Sequence, residues 1–362
     1  MDLFSRLPDN IRTLQPYIPG KPIEEVEREL GITAIKLASN ENSLGPSPLG
    51  MEAACRYLKQ AHRYPIGDGY YLRRKLAERL GVSMEEIILG SGSTELIELA
   101  ARTFLTPGDE AVTASQSFVM YTLAVRDMNG RIVYAPLKNY TYDLEAILGA
   151  VSPRTKLIYL ANPNNPTGTL FTSADLDGML EKLPSDVIVV LDEAYFEYVQ
   201  VPGYSHSLDY IREKRPVLVL RTFSKVYGMA GMRIGYGLAH SELIRCLNQV
   251  RSPFNTSSIA QIAAQAALDD HLHVRSSVES NRDGYEFLTG QLTLLGVKFV
   301  PSVTNFILID TGRDCMTDFQ LLMQKGVIVR PMKGNGFHTA FRLTIGTRDE
   351  NEKFIKALKE IS

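Results

Sequence analysis

Short, nearly continuous apolar runs recur along this chain, and each stops at a glycine or polar turn. Residues 87–89 precede Gly90-Ser91-Gly92, and 157–161 precede Asn162-Pro163-Asn164-Asn165-Pro166. Residues 187–191 precede Asp192-Glu193, and 217–220 precede Arg221-Thr222-Phe223-Ser224. The runs are rich in β-branched residues and lack polar alternation, as strands do when both faces of a sheet are covered. Helical patterns at 95–104 and 174–183 lie between them. Strand alternating with helix predicts an α/β layer built on a mostly parallel sheet. Past about residue 255 the character changes. A helical stretch from 257 through 285 leads to alternating β segments at 306–310 and 341–345, and a last helix at 350–361. That order predicts a smaller α+β domain. Pro8, Pro16, Pro19 and Pro22 crowd a start with little periodicity. The expected division is an N-terminal arm (1–30), a large domain (31–255) and a small C-terminal domain (256–362).

At roughly 150 residues per domain, 362 residues fit two domains. Lys plus Arg is 39 and Asp plus Glu is 41, giving a net charge of −2. Nothing here attracts a nucleic-acid backbone. Apolar runs fall far short of the ~18 residues that span a bilayer, so no membrane association is expected. Cys55, Cys246 and Cys315 are an odd, scattered set, which fits reduced thiols in a cytoplasm. Only His271 and His273 are closely spaced among the histidines. They read as a solvated pair in a polar helix, and no metal site is expected. Arg73-Arg74-Lys75 reads as the wet face of a helix.

In open α/β sheets ligands bind beyond the carboxyl ends of the strands. The segment Gly90-Ser91-Gly92-Ser93-Thr94-Glu95 follows a strand and opens a helix, whose free N–H groups favour an anion such as phosphate; Ser93 or Thr94 reads as its cap. It is neither a P-loop nor a dinucleotide fingerprint. In the Asn162–Gly168 turn, Asn165 can point an amide at a ligand. Asp192 ends the most apolar run, and a carboxylate there needs a cation or a protonated ring nitrogen. Lys225 ends another, beside the glycine-rich stretch holding Arg233. A lysine amine with a lowered pKa forms Schiff bases with carbonyls. Taken singly, each motif also has a purely structural reading. Taken together, an anion site, a carboxylate for a pyridine nitrogen, amide and hydroxyl donors and an amine for an aldehyde describe pyridoxal phosphate.

With these motifs the chain resembles the fold-type-I pyridoxal-phosphate aminotransferases, and within them the histidinol-phosphate aminotransferase family. The resemblance rests on Tyr17-Ile18-Pro19-Gly20-Lys21, Lys36-Leu37-Ala38-Ser39-Asn40-Glu41-Asn42, Arg63-Tyr64-Pro65, the segments 90–95 and 162–168, and Asp192-Glu193-Ala194-Tyr195. It continues through Thr222-Phe223-Ser224-Lys225, Ala230-Gly231-Met232-Arg233 and Arg342-Leu343-Thr344-Ile345-Gly346, and so covers nearly the whole chain. The resemblance implies that Lys225 carries the cofactor covalently and then shuttles the proton. Asp192 would keep the pyridine nitrogen protonated, Tyr195 and Asn165 would bond the phenolic oxygen, and Phe118 would stack on the ring. Ser93, Thr94, Ser224 and Arg233 would bind the cofactor phosphate, joined by Tyr64 of a neighbouring subunit in a homodimer. Arg342 would bind the glutamate carboxylate and the substrate phosphate, with Arg330, Tyr17 and Asn40 lining the substrate pocket. The chain departs from the family at Thr94 (often Asp), at Phe118 (often Tyr) and at Ile66-Gly67-Asp68 after Arg63-Tyr64-Pro65.

The implied reaction is transamination between L-histidinol phosphate and 2-oxoglutarate. An aromatic amino acid aminotransferase and a threonine-phosphate decarboxylase remain alternatives on the same fold. A cofactor-sensing regulator would need a DNA-binding domain for which the chain has no spare length. Alternation in 341–345 turns Arg342 away from the apolar residues, a position that solvent or a binding site can occupy. Gly334-Asn335-Gly336 reads as a mobile loop near Arg330.

Overall fold

The computed structural model describes residues 2–14 and 20–361. Among them, seven strands form the main sheet: β1 (Ile87–Gly90), β2 (Glu110–Ala114), β3 (Arg131–Ala135), β4 (Thr155–Ala161), β5 (Ile188–Asp192), β6 (Val217–Thr222) and β7 (Gly235–Leu238). Their spatial order is β1-β7-β6-β5-β4-β2-β3. Six run parallel, and β7 alone is antiparallel, inserted between β1 and β6. The apolar runs are these strands: every residue of β1, β2, β5 and β6 is buried. Helices on both faces exclude water, so side chains pointing either way must be apolar. The edge strand β3 shows the contrast, with Arg131 and Tyr134 exposed.

The helix Gly92–Phe104 buries Leu96, Ile97, Leu99, Ala100 and Ala101, a stripe at helical spacing that lies against the sheet. A second sheet holds β8 (Lys298–Val300), β9 (Phe306–Asp310), β10 (Arg330–Pro331) and β11 (Ala340–Thr344), in the antiparallel order β8-β9-β11-β10. The helix Arg348–Ile361 packs Phe354, Ile355 and Leu358 into its core.

The helical stretch expected from 257 onward is two helices, Ser258–Ala267 and His271–Leu294. Asp270 divides them. Its carboxylate accepts from the His273 backbone N–H at 3.3 Å and caps the second helix, a role for which Asp is favoured over helix interiors. Ala260, Ala263, Ala264 and Ala267 of the first helix belong to the core of the main sheet, whereas Leu37 belongs to that of the second. Ile35–Lys36 pairs with Val327–Ile328. On these cores we propose that the helix Ser258–Ala267 goes with the large domain, that His271–Leu294 runs from the main core (Val274, Val278) to the second (Leu288, Leu292), and that residues 35–37 join the small domain.

Within the first 30 residues, Asn10 Nδ2 donates to the carbonyls of Arg126 and Asp127, 3.1 Å each, and Ile23–Leu30 is helical. Two local expectations are corrected. His273 is buried, because its helix turns that face toward residues 42–47. Arg73 bends inward to donate to the Met84 carbonyl, 3.2 Å from Nε. No helix of the described residues is long and apolar enough to cross a membrane.

Candidate active site

Because six strands share one direction, their carboxyl ends meet along one edge, and a cavity of about 250 Å³ opens there. Ser93, Thr94, Phe118, Asn165, Asp192, Tyr195, Ser224, Lys225 and Arg233 all line it. Each follows a different part of the same edge: Ser93 and Thr94 after β1, Phe118 after β2, Asn165 after β4, and Asp192 at the end of β5. Ser224 and Lys225 follow β6. Arg233 reaches the edge because β7 runs backward. Gly235, the first residue of β7, pairs with Gly90 on one side and Thr222 on the other, which brings Arg233 beside Ser91 and Ser224.

The anion-binding corner is built from that pairing. The helix Gly92–Phe104 has Ser91 at its N-cap with no side-chain cap. Ser93 and Thr94 therefore do not cap it as the sequence suggested; they lie inside the first turn, leaving their hydroxyls to the cavity. The uncapped N–H groups and helix dipole favour an anion. Arg233 donates to the Ala230 carbonyl at 3.0 Å and the Ser91 carbonyl at 3.3 Å. Gly92 has φ +74°, and a Cβ there would lie 2.5 Å from Arg233 Nη2, so only glycine admits both the turn and the guanidinium.

At the floor, Asp192 accepts from Tyr121 Oη at 2.9 Å and from the Ala194 N–H at 3.1 Å. Both donors are neutral, and burial pushes the carboxyl up to about 6 against their pull. Such a group gains from a cationic N–H brought to it. Burial, reinforced by the Arg342 cation, lowers the Lys225 amine to about 8, while Glu41 and Asp192 oppose the shift. Lys225 Nζ lies 5.5 Å from the Tyr195 ring centroid. A buried amine, a buried carboxylate whose hydrogen-bond donors are both neutral and an uncapped helix N-terminus fit the aldehyde, ring nitrogen and phosphate of pyridoxal phosphate.

Asn40 and Arg342 stand behind the lining. Asn40 Nδ2 donates to Tyr195 Oη at 2.8 Å, and Asn165 Nδ2 does so at 3.4 Å. Arg342 donates through Nη1 to Asn165 Oδ1 and through Nη2 to the Ala38 carbonyl at 2.8 Å. Solvent is thus not where Arg342 points; every residue of β11 is buried, because residues 37–40 lie along that strand, with the Thr344 N–H donating to the Leu37 carbonyl at 2.8 Å. Arg330 sits opposite Arg342 in the β10–β11 register. Residues 333–335 form a short 3-10 turn, and Asn335 Nδ2 donates to the Ser117 carbonyl at 3.0 Å, next to Phe118.

Tyr64 is apart from this cavity, 83% exposed and stacked on Phe254 at 4.9 Å. Tyr17 lies outside the described residues. Sequence reasoning missed Tyr121, Ser39, Glu41 and Thr222 as lining residues. Tyr121 had a readable signal: it lies three residues beyond Phe118 at the start of the helix Val119–Asp127, which puts both on one face.

The family model for class I and II aminotransferases matches residues 32–358. A histidinol-phosphate aminotransferase of Moorella thermoacetica is 50% identical over 97% of this chain and 92% of its own. One from Anaeromyxobacter sp. (strain Fw109-5) is 50% identical over 98% of both chains. Among solved structures, the histidinol-phosphate aminotransferase of Sinorhizobium meliloti in complex with pyridoxal-5'-phosphate superposes with a TM-score of 0.90 at 27% identity, over 99% of each chain. On this match and these identities, the chain belongs to the class I and II aminotransferases, in the histidinol-phosphate aminotransferase family.

Proposed function

We propose that this chain is a pyridoxal-phosphate-dependent transaminase. It moves the amino group of L-histidinol phosphate to 2-oxoglutarate, giving imidazole acetol phosphate and L-glutamate, within histidine biosynthesis. The observation that carries the chemistry is the meeting of the Lys225 amine and the Asp192 carboxylate in one cavity. The choice of amine rests on the two half-identical relatives.

When bound, the cofactor supplies an electron sink beside the substrate's amine-bearing carbon. The chain's own residues do the rest. Ser93, Thr94, Ser224 and Arg233 hold the phosphate with the helix amides. Asp192 holds a proton on the ring nitrogen. Phe118 stacks on the ring, and Tyr195 and Asn165 take the phenolic oxygen. Lys225 would hold the cofactor's aldehyde group through Nζ. Freed for proton transfer, the Lys225 Nζ would be the base that takes the proton from the substrate's amine-bearing carbon and the acid that returns it. A lowered amine pKa leaves an unprotonated fraction near neutral pH for that task. Arg342 offers a planar fork to the glutamate carboxylate or the substrate phosphate, and Arg330 and Asn40 would join it in binding the substrate.

We further propose a homodimer in which Tyr64 of each subunit reaches its partner's phosphate site. Its exposure, beside exposed Phe254, Ile66 and Tyr70, supports this. The exposed, unpaired Cys55 and Cys246 support a reducing, cytoplasmic setting.

The test is a half-reaction. Purified holoenzyme receives L-histidinol phosphate without keto acid, with phenylalanine in parallel. Bleaching of the lysine-linked cofactor's visible band by histidinol phosphate, and its return with 2-oxoglutarate, is the expected result. Equal bleaching by phenylalanine would replace the proposal with an aromatic transaminase, and no response to either amine would reject it. For the dimer, Tyr64→Ala and Lys225→Ala subunits are mixed; recovered activity is expected, and none would refute a shared site.

A further inference from the structure

Lys225 is carried by the stretch between β6 and β7, where the short turn Ala230–Met232 is the regular element described. A reacting amine is placed no better than the backbone beneath it. That backbone is gripped from outside by residues 42–47. Asn42 Nδ2 donates to the Val226 carbonyl at 2.8 Å and to Ser277 Oγ at 2.8 Å, while Asn42 Oδ1 accepts from the Leu44 N–H at 3.0 Å. Both amide hydrogens and the carbonyl oxygen of this side chain are thereby engaged.

Its seat is the helix His271–Leu294. His273 and Ser277 are one turn apart on that helix and both buried, and His273 Nε2 lies 3.5 Å from Asn42 Nδ2. The next residues extend the grip. The Ser47 N–H donates to the Tyr227 carbonyl at 3.0 Å, and Ser47 Oγ donates to Asp270 at 2.6 Å. Gly228 has φ +66°, and a Cβ there would stand 2.0 Å from the Gly45 carbonyl oxygen, so the two backbones touch without a side chain between them.

We propose that Asn42, seated on Ser277 and His273, is a positioning residue for Lys225: it fixes the Val226 carbonyl, and through it the backbone that carries the reacting amine. Asn42 does not touch the reacting atoms; it acts one residue away. Its chemistry admits no carboxylate, since Asp would turn the donor facing the Val226 carbonyl into a second acceptor. The inference rests on the transaminase reading for its effect on turnover.

The experiment compares Asn42→Ala and Asn42→Asp with the parent protein. In the apoprotein, the pH dependence of Lys225 labelling by an amine-reactive reagent is followed by peptide mass. The parent midpoint is expected near 8, set by burial and by Arg342, Arg233, Glu41 and Asp192 around the amine. Released backbone lets the amine move toward water, so the variant midpoint should rise by about 0.5 unit or more toward the ordinary lysine value. In the holoenzyme kcat should fall about 10–100-fold, as for a misplaced group, with the glutamate KM within about twofold because Arg342 is untouched. A folded variant with an unmoved midpoint overturns the proposal, whatever its kcat. Should neither variant fold, Ser277→Ala decides: a midpoint raised in the same direction supports the proposal, and an unmoved one overturns it. A raised midpoint in a protein whose parent ignores histidinol phosphate removes the substrate assignment and leaves the positioning role standing.

Discussion

Replacing Asp192 by Asn should make the apoprotein more stable at alkaline pH and the enzyme far slower. Burial raises this carboxyl from its ordinary 3.8 to about 6. A group whose folded pKa is raised gives stability that is complete below the unfolded value and is lost as pH climbs through the folded one. Between those limits the shift amounts to ~3 kcal/mol at 1.36 kcal/mol per unit. About half of the loss has accrued by pH 5 and all of it by pH 8. Asn keeps an acceptor for the Ala194 N–H and presents a donor to Tyr121 Oη, so the neutral contacts largely survive. The stability difference between Asp192→Asn and the parent apoprotein should therefore widen by ~1.5 kcal/mol from pH 5 to pH 8. Urea unfolding of both apoproteins at the two pH values measures it. In the holoenzyme the same change would remove the charge proposed to hold a proton on the ring nitrogen, and kcat should fall roughly 10²–10³-fold, the scale of one lost electrostatic partner. A stability difference that is flat across that range, or that narrows, would refute the claim that the Asp192 anion is held at a cost for catalysis.

Three other perturbations follow from the same geometry. Lys225→Ala should abolish transamination and covalent cofactor attachment; wild-type turnover, or a retained lysine-linked absorbance band, would move the assignment elsewhere. Arg342→Ala leaves Asn165 Oδ1 without its cationic donor and should raise the glutamate KM by about 10²-fold or more, in the range of a buried charge partner, while cofactor titration stays near normal; unchanged glutamate kinetics would place the carboxylate site elsewhere. Tyr121→Phe removes a hydrogen bond to a buried carboxylate, worth ~1.5–3 kcal/mol. The Asp192 carboxyl should then titrate about one unit or more higher in carboxyl NMR of the apoprotein, and an unmoved titration would show that burial alone sets it.

How legible the site was depends on the kind of contact. Ser93, Asn165, Asp192 and Lys225 could be read because each ends a recognisable apolar run, and a parallel sheet gathers such ends without further information. Tyr121 was passed over although its spacing from Phe118 was visible, because a tyrosine in an apolar helix face reads as core. His273 reads as solvated from its polar helix yet is buried, because helical periodicity alone does not say which face another segment covers. Strand alternation cannot choose between solvent and site for Arg342 for the same reason: its burial comes from residues 37–40, some three hundred positions earlier in the chain.

The amino-acid sequence by itself determined which segments become buried strands and which side chains stand at their ends, since both depend on neighbours along the chain. Only the tertiary structure decided the reversed insertion of β7, which carries Arg233 to the anion corner. It alone joined Asn40 to Tyr195 across 155 residues and Arg342 to Asn165 across 177. The shifted titrations of Asp192 and Lys225 belong to the same class. Desolvation and charge proximity are properties of enclosed space, and no local pattern in a chain encodes which distant segments will close that space.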